Sequence, residues 1–254
     1  MGLFRFKSNK KSATTSAERP RLNYGSPFAI KEAYNSIRTK LIFTGKGEKC
    51  PVFAVTSSLA SDGKSTNAVS LAVSIAMAEQ RVLLIDADMR KPSIHRYFGL
   101  ECKNGLSEIL AGLTTEIKLR ATDTEGLSVL TAGQIPPNPA ELLGSKQLDM
   151  LLDYVRQYFD YVIIDTPPVN IVTDASVISD KITGYIFVVQ SGKNHIQDLK
   201  DAFGQIEEMH GDIVGIILND PDNKAEAHYS YRYNKYFRYD RYKYYGENPI
   251  GKQK

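Results

Sequence analysis

The sequence predicts a three-layer α/β domain whose mainly parallel sheet is covered by helices on both faces. Strand-length and helix-length apolar segments alternate from residue 52 to residue 220. The strand-length runs are continuously apolar rather than alternating, as expected when both faces of a sheet are buried. The chain has no internal repeat, and its 254 residues suit one core, since α/β domains of about 200–250 residues are ordinary.

The elements follow in order. In "SPFAIKEAYNSIRTKLIF" (26–43), Ser26 is a plausible N-cap and Pro27 fits the first helical position. Apolar residues at 30, 33, 37 and 41 make this an amphipathic helix, which "TGKGEK" then breaks. "VFAVTS" (52–57) reads as a strand, 65–80 as a helix with small and apolar faces, and "RVLLIDAD" (81–88) as a buried strand. "NGLSEILAG" (104–112) suggests a short helix and "LSVLTAG" (127–133) a strand. In "PPNPAELL" (136–143), prolines stiffen a turn with Asn138 as an N-cap candidate, and no chemistry is evident. A helix over 145–159, the strand "YVIIDTPP" (161–168) and a short helix over 173–180 come next. The strand "GYIFVVQSG" (184–192), a helix over 195–210 and the strand "DIVGIILND" (212–220) complete the domain.

A content of 42% hydrophobic and 24% charged residues is that of a soluble globular protein. No apolar run approaches the length of a membrane span, and "MGLFRFKSNKK" lacks a signal-peptide core. Cys50 and Cys102 form neither a disulfide framework nor a metal-ligand spacing, so a reducing cytoplasm is the default. The net charge of +3 hides a partition: residues 1–21 and 223–254 each carry +5, which leaves the body, 22–222, near −7. The expected organisation is a basic disordered tail over 1–21, a domain over 22–222 and a flexible tail over 223–254. Alternating apolar and basic groups over 1–11 suggest at most weak attraction to anionic lipid. The C-terminal tail holds eight tyrosines in 17 residues: Tyr229, Tyr231, Tyr233, Tyr236, Tyr239, Tyr242, Tyr244 and Tyr245.

"SLASDGKS" (58–65) has the spacing of the phosphate-binding pattern G-x-x-x-x-G-K-[ST], with Ser58 in place of the first glycine. A strand before and a helix after set it apart from a chance Gly-Lys-Ser-Thr in a solvated turn. Ser61, Asp62, Gly63, Lys64, Ser65 and Thr66 are therefore candidate ATP-binding residues. Gly63 lets the backbone approach phosphate, Lys64 reaches the β/γ oxygens, and the Ser65 hydroxyl can ligate Mg²⁺. Asp165 ends one apolar strand, and Asp86 and Asp88 lie at the end of another. Ligands of parallel sheets sit beyond such carboxyl ends. Three acids are thus expected to converge on metal and γ-phosphate, although each alone could be a helix-capping aspartate.

At these residues the chain resembles the bacterial tyrosine kinases that regulate capsule and exopolysaccharide synthesis, in the form separate from their membrane adaptor. "SDGKST", "LLIDADMRKP", "VLTAGQIPPNPAELLGS", "VIIDTPPVNIVTD" and the tyrosine-rich tail carry the resemblance, over about 26–222. It implies a P-loop NTPase fold and ATP-dependent tyrosine autophosphorylation with ATP and Mg²⁺. Lys64, Asp86 and Asp88 would be catalytic, with Ser65, Asp86 and Asp165 at the metal. A tyrosine hydroxyl with a pKa of about 10 is protonated at neutral pH, so a carboxylate within reach can take its proton. Asp88 is the candidate base, the alternative being an outer-shell partner of the metal. The family also assembles as a ring through Glu-x-x-Arg-x-x-Arg on the first helix. Glu32 and Arg38 match that pattern, whereas Asn35 stands at the middle arginine. In the family the last strand leads to adenine contacts. Here Asn219 matches, while Asp220 stands where lysine is common. Arg90 and Lys91 could serve the nucleotide or a neighbouring subunit.

The resemblance further implies a membrane-anchored activating adaptor of the polysaccharide co-polymerase type, and external substrates such as sugar-modifying enzymes. The chain would then be cytoplasmic, recruited to the inner face of the plasma membrane. The competing reading is a ParA/MinD-like ATPase of the DNA-partitioning and division-site class, whose basic aromatic tail binds nucleic acid or a partner. That class carries an extra lysine five residues before the invariant one, where this chain has Leu59. Nucleic acid is therefore the disfavoured partner, and the tail is expected to be the substrate.

Overall fold

The computed structural model describes residues 4–6 and 21–219. The rest of the predicted tails, with the tyrosine cluster at 229–245 and Asp220, lie outside the described residues. In chain order the first elements are β1 (Arg5–Phe6), α1 (Phe28–Thr44), β2 (Val52–Ser57), α2 (Lys64–Ala76) and β3 (Val82–Asp86). Then come α3 (Ile94–Tyr97), α4 (Leu106–Leu110), β4 (Glu116–Ile117), β5 (Arg120–Ala121) and β6 (Leu127–Leu130). The remainder is α5 (Pro139–Leu143), α6 (Lys146–Val155), β7 (Tyr161–Asp165), a 3₁₀ turn (Ser176–Lys181), β8 (Gly184–Gln190), α7 (Ile196–Glu208) and β9 (Ile213–Asn219).

Seven strands form one sheet in the order β5-β6-β3-β7-β2-β8-β9, all parallel except the edge strand β5. Strand periodicity divides the continuous apolar runs between two cores. Phe53, Val55, Val82, Leu84, Ile163, Ile186 and Val188 join α2 in one core. Val52, Ala54, Leu83, Ile85, Val162, Ile164, Tyr185 and Phe187 join α6 and α7 in the other. This confirms helices on both faces. α2 lies between α1 and the sheet, so Asn67 to Ala76 are buried without a break. Alternating small residues, Ala68, Ser70, Ala72, Ser74 and Ala76, suit that position.

Several expectations need correction. α1 begins at Phe28 with Pro27 as its N-cap, because the Ser26 hydroxyl accepts instead from the Asn23 N–H (3.0 Å). The inward stripe 30/33/37/41 holds only in its second half. Leu41 is buried, Tyr34 and Ile37 pack against the core, and Ile30 is exposed. The expectation of disorder through residue 21 fails for residues 4–6: β1 pairs in parallel with β4, Phe4 is buried, and the Phe6 ring meets Tyr158 edge-on at 4.8 Å. "PPNPAELL" is the start of a helix as well as a turn, with Pro139 at its N-terminus. No helix among the described residues is long and apolar enough to cross a membrane.

Three central strands position the site. β3, β7 and β2 are neighbours, and register sets Asp86 opposite Asp165 and Asp165 opposite Val55. Their carboxyl ends therefore present both aspartates beside the loop that follows Ser57.

Candidate active site

The loop between β2 and α2 turns on backbone that favours glycine. Gly63 has φ +92°, and a Cβ there would collide with the side chain of Asn219. Ser61 is also left-handed, at φ +64°. The loop is braced by residues the motif did not reveal. Ser58, where the pattern has glycine, accepts a hydrogen bond from Asn194 (2.7 Å). Asp62 is wholly buried and accepts from the Leu59 N–H (3.1 Å), Asn194 (2.9 Å) and the Lys193 ammonium (2.8 Å). Its carboxylate holds the loop in shape, so only its backbone is available to a phosphate. The Asn219 amide donates to the Asp62 carbonyl (3.0 Å) and to Gln190 (3.0 Å), tying the last strand to the loop. Thr66 exchanges a 2.7 Å hydrogen bond with Tyr97.

Lys64 and Asp88 meet at 2.8 Å, both largely buried. Burial opposes the lysine charge, but Asp165 and then Asp88 more than offset it and raise its pKa. Asp88 also accepts from the Lys91 N–H (3.0 Å), which shapes the turn after β3. One oxygen of Asp86 accepts the N–H groups of Ser93 and Ile94 (3.0 Å each), so this residue does cap the short α3. Its other oxygen, and both oxygens of Asp165, are buried without a hydrogen-bond partner. Burial pushes Asp86 well above the usual carboxylate range, with the Asp165 charge adding to it. Burial likewise raises Asp165 to about 6, against the opposing pull of Lys64 and of the Ser65 hydroxyl, which lies near Asp165 without forming a hydrogen bond of standard length.

Three orphaned carboxylate oxygens beside Ser65 suit a divalent cation with its waters and a bound triphosphate. Among the described residues, no three His, Cys, Asp or Glu side chains could hold a metal by themselves. That fits Mg²⁺, which keeps water and phosphate oxygens rather than a protein cage. Ser61, Gly63, Lys64, Ser65, Thr66 and Asp88 open onto a cleft of about 710 Å³.

Other sequence candidates lie outside this cluster. Arg90 lines the cleft but is clamped by the fully buried Asp174 through two hydrogen bonds, 2.8 and 2.9 Å. Lys91 is exposed at the rim. On α1, Glu32 accepts from Asn35 (3.0 Å), the residue at the departed arginine position. Arg38 donates to the Ser74 carbonyl (2.7 Å), so it braces α1 on α2. Sequence reasoning missed Lys193, Asn194 and Asp174. Only "SGKN" following a strand hinted at the first two, and the order of strands decides that β8 flanks the loop.

Fold and loop first define a class: the family described as AAA domain matches residues 52–213. Tyrosine-protein kinase YwqD of Bacillus subtilis is 37% identical over 201 residues, 79% of this chain and 85% of that one. Tyrosine-protein kinase CpsD of Streptococcus agalactiae is 36% identical over 213 residues, 83% and 91% of the two chains. The kinase domain of Escherichia coli tyrosine kinase ETK superposes with a TM-score of 0.77 at 32% identity, covering 83% and 84%. The chain belongs to the bacterial tyrosine-kinase family of the CpsD/CapB type.

Proposed function

We propose that the chain is an ATP-dependent protein-tyrosine autokinase. It transfers the γ-phosphate to tyrosines of the 229–245 cluster, between neighbouring copies, and so regulates capsular or exopolysaccharide polymerisation and export. The observation that carries this reading is Asp88 held at 2.8 Å from the phosphate-loop lysine, beside the orphaned oxygens of Asp86 and Asp165. When ATP binds, its phosphates compete for Lys64 and release Asp88. The freed carboxylate takes the tyrosine proton as the phenolic oxygen bonds to the γ-phosphorus. The bond to the β–γ bridging oxygen breaks, and ADP leaves. Ser65, Asp165 and Asp86 would hold Mg²⁺, whose charge would offset that of the β- and γ-phosphates. The N–H groups at Ser61 to Thr66 cradle the phosphates, and Asn219 supports that loop beside the base-binding end.

The partners follow the family: a membrane-anchored adaptor that brings the kinase to the inner face of the plasma membrane, and external substrates such as sugar-modifying enzymes. Self-association into a ring uses α1. Within one chain Glu32 accepts from Asn35 and Arg38 donates to the Ser74 carbonyl, so both would exchange these partners at that contact. Charge supplies the control. Each phosphotyrosine adds about −1.5 to −2, so eight would turn the +5 tail to about −7 or lower. Attraction to the acidic body becomes repulsion. Light scattering should therefore give a smaller particle after phosphorylation, and an unchanged mass would refute this control.

Intact-mass spectrometry after incubation with Mg·ATP tests the activity. Successive phosphate additions mapping to 229–245 are expected for the wild type, and none for Lys64→Met. Steady ATP hydrolysis stimulated by DNA, with no phosphotyrosine, would instead favour the partitioning-type reading.

A further inference from the structure

The proline-stiffened stretch that offered no chemistry in the sequence lifts one large apolar side chain to the cleft. Ile135 is 67% exposed, yet it lines the same cleft as Lys64, Asp88, Pro92 and Pro168. Its loop is held on both sides. Upstream, the Glu108 carboxylate accepts from the N–H groups of Gln134 (3.2 Å) and Gly105 (2.8 Å). Gly133, at φ +84°, has no room for a Cβ against Glu108 and Ser107. Downstream, Pro136, Pro137 and Pro139 restrict φ, and Pro139 is buried at the start of α5. A loop so constrained cannot fold its isoleucine back into the core.

We propose that Ile135, with the half-buried Pro92, forms an apolar shelf that takes the ring of the acceptor tyrosine and aims its hydroxyl at Asp88. The proposal rests on the kinase reading above. Tyrosine is an apolar body with a polar tip, and it suits a site where apolar surface adjoins a carboxylate. Serine and threonine have no ring to engage the shelf. Attraction between the basic 229–245 segment and the acidic body brings the tail near without selecting a residue, and Lys91 and Arg96 at the cleft do not favour its Arg and Lys side chains. Apolar contact with the ring is what distinguishes tyrosine from the tail's charged side chains at this cleft. Ile135 is thus a specificity residue, acting by direct contact with the acceptor.

The test uses the full-length chain, stripped of phosphate beforehand, with Mg·ATP and a peptide of residues 229–245 as acceptor. Ile135→Ala should raise the KM for the peptide about tenfold, the scale of a lost apolar contact, with the KM for ATP unchanged. Ile135→Leu should restore the wild-type value. A labelled wild type with an unchanged acceptor KM in Ile135→Ala overturns the shelf alone. An equal rise in both KM values marks a general disturbance of the cleft and also overturns it. Absence of phosphotyrosine on the wild type overturns the kinase reading, and the shelf with it.

Discussion

Among the described residues, four aspartates are completely shielded from solvent, and they divide into two pairs. Asp62 and Asp174 are fully provided for, the first by Lys193, Asn194 and a backbone N–H, the second by both arms of Arg90. Asp86 and Asp165 face each other across adjacent strands and between them leave three oxygens without a partner. Burying a charge without full compensation is unfavourable, and beyond the cap that Asp86 places on α3 the second pair leaves its burial uncompensated. The first pair shapes loops, whereas the second keeps oxygens open to the proposed cation. The surroundings of a buried carboxylate thus separate a structural role from a binding one where residue type does not.

Asp62→Ala should give the largest loss of stability. It removes the shared acceptor of the Lys193 ammonium, the Asn194 amide and the Leu59 N–H. A loss of about 3 kcal/mol is expected, because the amide and the N–H lose a buried acceptor while the partly exposed Lys193 keeps the Ala60 carbonyl and water. Chemical denaturation measures it. A loss below about 0.5 kcal/mol would erase the distinction between the pairs.

Asp165→Asn should move stability the opposite way while abolishing phosphate transfer. In the metal-free protein, Asp165 titrates near 6 rather than 3.8. Below about pH 4 both states hold the proton and the group is neutral to stability. From pH 4 to 6 the unfolded chain ionises while the folded one resists, so stability falls. Above 6 the loss is constant, at up to about 3 kcal/mol for a shift of this size. The substitution should therefore raise the metal-free Tm at pH 7 by a few degrees. It should also flatten the decline between pH 4 and 6, leaving the part due to Asp86. A lower Tm at pH 7 would mean that Asp165 supports the fold rather than waits for a ligand.

Much of this protein was legible before folding was considered. The alternation of continuous apolar runs with amphipathic segments is a local pattern, and it specified the layers. The spacing around Gly63, Lys64 and Ser65 is equally local, because a phosphate loop is built from consecutive backbone groups. Asp86 and Asp165 were legible as strand-end acids. What their burial leaves unpaired was not, since that depends on the neighbouring strand. The docking of Phe4 and Phe6 escaped for a related reason: two short-range aromatics among lysines resemble a solvated tail until Tyr154, Tyr158 and β4 come alongside.

The sequence by itself determined the fold class, the phosphate loop, the strand-end acids and the family. Each of these lies within a short run of consecutive residues, where period and spacing act directly. Only the tertiary structure decided that Lys64 pairs with Asp88, that Lys193 and Asn194 brace the loop from 131 or more residues away, and that Ile135 borders the cleft. Those facts follow from strand order: β8 beside β2 brings in Lys193 and Asn194, and β3 and β6 on the other side bring Asp88 and Ile135 to the same edge.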